Sequence, residues 1–239
     1  MLQIKNIVKK FGSFTAVDGI NLHVKQGELY GFLGQNGAGK TTTIKMIAGV
    51  YEPTSGSISI NGIDISKKPV QAKLQIGYVP DQPYLYDKLT GREFLYFSGG
   101  LYNLDKKTIS NKIDELVDIL NIGRWLDKRT EEYSQGMRQR ITIASALLHN
   151  PKLIVLDEPM VGLDPQSAVL VKKILKQKVS EGASVFVSTH SLSFAEEVCS
   201  RIGIIKAGVM IYEDKREAIE TIKTNLNSNF EEVFLELTK

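Results

Sequence analysis

The stretch that most limits the fold runs from Glu28 to Val50, ELYGFLGQNGAGKTTTIKMIAGV. A mostly apolar run enters a glycine-rich turn and leaves as a helical pattern whose buried side would include Ile44, Ile47 and Ala48. Gly34 to Thr41 fits G-x-x-x-x-G-K-[ST], and it sits between a strand and a helix, as a P-loop requires. A random chain of this length would match that pattern in only about one case in a hundred, before the strand and helix are demanded. The chemistry follows from the residues. Backbone N–H groups from Asn36, Gly37, Ala38 and Gly39 onward to Lys40, Thr41 and Thr42 can turn inward on a β-phosphate at the positive end of the helix. Lys40 would neutralise β/γ oxygens and the Thr41 hydroxyl would ligate Mg²⁺, so the substrate class is a nucleoside triphosphate.

The rest of the chain supplies an α/β frame. LQIKNIV, INLHVKQ and SISINGIDIS alternate apolar and polar residues, and Asn61-Gly62 is a hairpin signal, so the first third carries antiparallel strands. From about Asp87 to Asn150 the pattern is helical, with Ile109, Ile113, Leu116 and Leu120 on one face. LIVLDEP and SVFVSTH are short strands separated by a helix around Ala168 to Lys178, which is the alternation of a parallel sheet. Two more strands lie in RIGIIKAGVMIY. From about Lys215 the tail is amphipathic, with Phe230, Val233, Phe234 and Leu237 on one helical face.

Composition narrows the function classes. A net charge of +3 from 30 basic and 27 acidic residues gives no basic block that would call for nucleic acid or a lipid surface. The single cysteine, Cys199, excludes an internal disulfide framework and is expected to be packed and inert. No run approaches the ~20 apolar residues of a spanning helix, and the N-terminus lacks the apolar run of a secretory signal. The expectation is a cytosolic protein that meets a membrane only through a partner.

LIVLDEP carries Asp157 to the carboxyl end of a buried strand, where its carboxylate can hold a Mg²⁺ hydration shell. This is a Walker B strand. Glu158 would point elsewhere, towards the γ-phosphate, to orient or deprotonate the attacking water. His190 ends SVFVSTH on the same sheet edge and would reach the γ-phosphate, whereas His23 and His149 read as structural.

GQNGAGKTT, YSQGMRQR, LIVLDEP, GLDP and VSTH together resemble the ATP-binding cassette ATPases over nearly the whole chain, and YSQGMRQR with FEEVFLELT is similar to the bacterial exporter-type branch. The resemblance implies a RecA-like P-loop NTPase core with a mainly parallel sheet, an N-terminal antiparallel β subdomain and an inserted α-helical subdomain. It implies a core over 1–86 and 150–214, a helical signature subdomain over 87–149 and a helical tail over 215–239, all within one domain. It further implies that Ser134, Gln135 and Gly136, at a helix N-terminus, receive the γ-phosphate of ATP held by the P-loop of an opposing subunit. By the same resemblance Phe11 stacks on adenine with Val17 nearby, and Asp164 bridges the two subunits near the attacking water.

Three departures from the family pattern stand out. Tyr133-Ser134-Gln135-Gly136-Met137 replaces the usual LSGGQ, keeping its serine and second glycine. Met160-Val161 stands where a polar pair is commoner. Asp81 occupies the place of a glutamine that ligates Mg²⁺; either Asp81 substitutes directly or Gln82 serves through a one-residue shift. The implied function is an ATPase whose two copies, identical or different, clamp two ATP and drive a separate transmembrane permease, with export implied by the branch. Tyr84, Leu85 and Tyr86 would line a groove for a permease helix, or else belong to the core. A ribosome- or DNA-acting cassette would carry a second cassette or a long coiled coil, and a GTPase would carry a guanine-reading N-K-x-D in the right place; this sequence shows none of these, its Asn111-Lys112-Ile113-Asp114 falling inside the helical block.

Overall fold

We describe the fold from a computed structural model covering residues 1–218, 221 and 229–238. An antiparallel sheet is built from β1 (Leu2–Phe11), β2 (Phe14–Val24), β4 (Ser55–Ile60) and β5 (Ile63–Asp64), in the order β2-β1-β4-β5. Asn61 and Gly62 join the last two with φ values of 51° and 78°, the geometry of a tight primed turn. The first hairpin is longer than its alternation announces, since Phe11 pairs with Phe14 across Gly12-Ser13.

The second sheet contains β3 (Leu29–Leu33), β6 (Ile76–Val79), β7 (Leu153–Asp157), β8 (Ser184–Thr189), β9 (Arg201–Lys206) and β10 (Val209–Lys215). Its order is β10-β9-β3-β8-β7-β6, with every pair parallel except β10 against β9. Its central strands are buried on both faces, which is why they read as continuous apolar runs. Strand parity divides the core. Ile154, Leu156, Val185 and Val187 face one hydrophobic cluster, while Leu153, Val155 and Phe186 face the other.

The second of these clusters holds α1 (Lys40–Ile47), which packs between the two sheets through Ile44, Met46 and Ile47, and lies near the short α2 (Pro69–Lys73). The first cluster joins the sheet to α3 (Gly91–Leu101), α4 (Lys106–Leu120) and α5 (Gln135–Leu147). A Thr90 capping box starts α3, and Asp105 caps α4 through the N–H groups of Lys107 and Thr108. Ile109, Ile113, Leu116 and Leu120 are all buried, as their spacing predicts. On the same side lie α6 (Pro165–Ser180) and α7 (Leu192–Val198).

The final helix, α8 (Phe230–Thr238), buries Phe230, Val233 and Phe234 but leaves Leu237 36% exposed. Thr238 takes the inward position instead, bonding its hydroxyl to the Phe234 carbonyl at 2.8 Å. Most of the expected tail between Lys215 and Phe230 lies outside the described residues. No helix among the described residues is long and apolar enough to cross a membrane.

Cys199 is buried beside β3, and burial pushes its thiol up to about 12, which keeps it unreactive. A Cβ on Gly31 would meet its Sγ at 2.7 Å. Gly31→Ala should therefore cost about 1–3 kcal/mol by overpacking, and Cys199→Ala in the same chain should return part of that loss. Urea unfolding of the two single variants and the double variant measures the compensation.

Candidate active site

At the carboxyl edge of the six-stranded sheet, the turn from Gly34 to Gly39 and the first residues of α1 wall a cavity of about 400 Å³. Asn36, Gly37, Gly39, Lys40, Thr41 and Thr42 line it, together with Phe14, Ala16, Asp81 and Glu158. Gly39 precedes α1 at φ 110°, and a Cβ there would stand 2.7 Å from the Ala16 carbonyl oxygen. Only glycine fits both the conformation and the space. The exposed N–H groups at the start of α1 thus open onto the cavity without a side-chain cap, the arrangement that receives an anion.

Lys40 is 6% exposed, and its Nζ donates to the Gly34 carbonyl at 2.7 Å and the Gln35 carbonyl at 3.3 Å. It also meets Glu158 Oε1 at 3.4 Å. Glu158 in turn accepts from His190, whose Nδ1 and backbone N–H approach Oε2 at 2.9 and 3.2 Å. One carboxylate therefore joins the P-loop lysine to the end of β8. His190 is exposed, and with Nδ1 engaged its Nε2 is the ring atom left to face a ligand.

Asp157 is fully buried at the end of β7. Ser188, opposite it on β8, donates its hydroxyl to Oδ1 at 2.5 Å, while Oδ2 has no hydrogen-bond partner among the described residues. Burial raises the Asp157 pKa above the ordinary carboxylate value, with the negative charges of Asp81 and Glu158 adding to the effect. The hydroxyls of Ser188 and Thr41 act in the opposite direction. A buried acceptor without a donor, beside a threonine hydroxyl and a second carboxylate, is a donor set that suits a hard divalent cation.

The residues expected at the nucleotide site are distributed unevenly around the cavity. Asp81 lines it, whereas Gln82 is exposed and donates its N–H to Asp81 Oδ1 at 2.9 Å. Phe11 is 45% exposed but sits outside the lining, edge-on to Tyr51 at 5.6 Å with the Lys9 ammonium 5.1 Å over its ring. Val17 is buried behind the cradle rather than open to the cavity. Phe14, 64% exposed, is a lining residue that sequence reading missed. Its signal was the register of the hairpin, which sets it opposite Phe11.

Ser134, Gln135, Gly136 and Asp164 gather elsewhere, away from the cavity lining. Ser134 caps α5, accepting from the Met137 N–H at 3.3 Å. Asp164 caps α6, accepting from the Ser167 N–H at 2.9 Å and hydroxyl at 2.6 Å, bonds that lower its pKa. The two caps are adjacent: a Cβ on Gly136 would stand 3.4 Å from Asp164 Oδ2. Gln135 lies against Gly162, and its Nε2 reaches the Val161 carbonyl at 3.5 Å. Beyond Asp81, Tyr84 and Tyr86 are exposed and Leu85 is buried, yet all three line one surface groove, Leu85 also belonging to the core. That groove, of about 680 Å³, is completed by Pro83, Asp87, Lys88, Phe97 and Arg138.

A family model described as ABC transporter matches residues 17–161. The chain is 41% identical over 211 residues to the linearmycin resistance ATP-binding protein LnrL of Bacillus subtilis, covering 88% of this chain and 68% of that protein. A solved structure of an ATP-binding subunit of an ABC transporter superimposes with a TM-score of 0.92 at 31% identity, covering 100% of both chains. An ATP-binding cassette solved as a dimer in a post-hydrolysis state, bound to ADP and Pi, superimposes with a TM-score of 0.83 at 26% identity, covering 90% of this chain and 99% of that one.

The Asp157 environment predicts a measurable trade. Its folded-state pKa lies above the unfolded value, so the ionised carboxylate weakens the fold as pH rises through that range and stays a cost at neutral pH. Asp157→Asn should therefore raise the melting temperature of nucleotide-free protein near pH 7. The gain should vanish at acid pH, where Asp157 is protonated in both states. For a chain of this size 1 kcal/mol corresponds to roughly 2–4 °C, within reach of thermal melts across a pH series.

Proposed function

Because the chain belongs to the ABC transporter family as its ATP-binding, ATP-hydrolysing subunit, we propose that Lys40, Asp157, Glu158 and His190 perform hydrolysis and that Ser134 to Gly136 complete the site of a second copy. The observation that carries this reading is the division of the site. Lys40, Thr41, Asp81 and Glu158 line one cavity, while the N-terminus of α5, capped by Ser134, stands apart from it. In this reading a phosphate held by Lys40 meets the Ser134 of a second chain.

In this reading the N–H groups of Asn36 to Thr42 cradle the phosphates of ATP, and Lys40 exchanges its contact with Glu158 for the β/γ oxygens. Freed from the lysine, Glu158 orients a water towards the γ-phosphorus and takes its proton as the bond to the bridging oxygen breaks. His190 holds Glu158 through Nδ1 and offers Nε2 to the γ-phosphate. Thr41, Asp81 and Asp157 are the residues that would hold Mg²⁺, which when bound neutralises the charge shared between the β- and γ-phosphates. Phe11 and Phe14 present the exposed rings near the base and ribose end, with Val17 supporting the cradle from behind.

We place the helical block at 87–149, with the core at 1–86 and 150–214 and the tail at 215–239. The Tyr84–Tyr86 groove would receive a cytoplasmic helix of a separate permease and thereby seat the chain on the cytoplasmic face of the membrane. The resistance role in the name of LnrL favours outward transport.

Glu158→Gln protein should form a stable dimer on addition of ATP and Mg²⁺, and Ser134→Arg in the same background should abolish it while ATP binding survives. Size exclusion with light scattering reads both. A Glu158→Gln chain that binds ATP and stays monomeric would count against the two-copy site in the isolated subunit.

A further inference from the structure

Asp157 and Ser188 are opposed residues at the ends of neighbouring parallel strands, both on the face that turns towards α1. Ser188 has no exposed surface, and its one hydroxyl makes two contacts. It donates to Asp157 Oδ1 at 2.5 Å, and its oxygen accepts from the Glu158 N–H at 3.2 Å. The Ser188 carbonyl shares that same N–H, also at 3.2 Å. Glu158 needs such restraint. Its φ of 48° is left-handed, a conformation that a residue with a Cβ holds only when its surroundings enforce it, at a cost of about 1–3 kcal/mol.

We propose that Ser188 is a positioning residue for hydrolysis: its hydroxyl pins Asp157 Oδ1, leaving the unpartnered Oδ2 as the oxygen free for a cation, and it helps hold the left-handed turn that aims Glu158. The inference rests on the reading of Asp157 as a cation-shell ligand and of Glu158 as the water-orienting carboxylate. The two acids leave the strand in different directions because the chain turns left-handed between them, and both sides of that turn are tied to the same serine. An alanine or valine at 188 would keep the strand but free the Asp157 carboxylate to rotate and leave the Glu158 N–H with a single acceptor. Groups that orient a metal ligand from behind typically change affinity or activity by about 10–100-fold when lost.

The test compares Ser188→Ala and Ser188→Thr with the wild-type full-length chain. Four quantities are read: kcat and KM for ATP, the Mg²⁺ concentration for half-maximal rate, Mn²⁺ binding to the protein with a non-hydrolysable ATP analogue by electron paramagnetic resonance, and melting temperature without nucleotide. Ser188→Ala should lower kcat by about 10-fold or more and weaken Mn²⁺ binding several-fold. KM for ATP and cation-free nucleotide binding should stay within about twofold of wild type, and the melting temperature should be little changed. Ser188→Thr, which keeps the hydroxyl, should recover most of the loss. Wild-type kcat and cation dependence in Ser188→Ala would overturn the proposal. So would a loss of kcat that tracks a fall in melting temperature and nucleotide binding and that threonine fails to relieve, since that pattern belongs to a packing residue. Wild-type protein inert towards ATP would instead sink the reading of the site beneath it.

Discussion

The fold buries two opposite charges, Lys40 and Asp157, at one sheet edge without pairing them to each other. Taking an ion out of water costs on the order of several kcal/mol even after relaxation, and partial pairing recovers only some of it. Lys40 rests on two carbonyls and one acid; Asp157 has one oxygen satisfied by a hydroxyl and the other by nothing among the described residues. Both groups are thus poised for partners of greater charge density than the chain provides. A triphosphate with its cation would supply both at once, and the electrostatic penalty in the fold would then become a source of affinity and selectivity for the nucleotide.

What makes this burial tolerable is the division of the core by strand parity. Leu153 and Val155 share their face of the sheet with Asp157, and Phe186 shares it with Ser188, so each polar group is preceded by an apolar neighbour on its own face. The opposite rows, Ile154 and Leu156 with Val185 and Val187, merge into one cluster with Ile113, Leu116, Ile141 and Leu147 of the helical block. The helix that Ser134 caps is therefore rooted in the same core as the strand that carries Asp157. Movement of one against the other must repack a shared apolar interior, which resists small continuous shifts.

The elements whose physics is local were legible in the sequence. The P-loop, the Asn61-Gly62 turn, the four apolar positions of α4 and the double-sided strands each follow from spacing and residue type, and each has its counterpart in the structure. The misses need information from a second element. Leu85 lies between two tyrosines in a stretch without helical or strand periodicity, so only the packing of α3 and α5 around it explains its burial. Leu237 and Thr238 exchange roles because a threonine can satisfy its own hydroxyl on the helix backbone while facing inward. Phe14 and Ser188 acquire their surroundings through cross-strand register, which no single strand states.

The loop from Glu158 to Asp164 joins these arguments. It begins at a residue held left-handed by β8 and ends at a residue that caps α6, so neither end can drift without breaking a defined bond. Between them, α5 reaches across with two amides one helical turn apart: Gln135 towards the Val161 carbonyl at 3.5 Å and Gln139 towards the Pro159 carbonyl at 3.4 Å. These bonds are long and individually weak, yet Gln139 is buried and has few alternatives. The loop that starts at the acid that would direct water is thus tied, through Gln135 and Gln139, to the helix capped by the serine that would meet a phosphate.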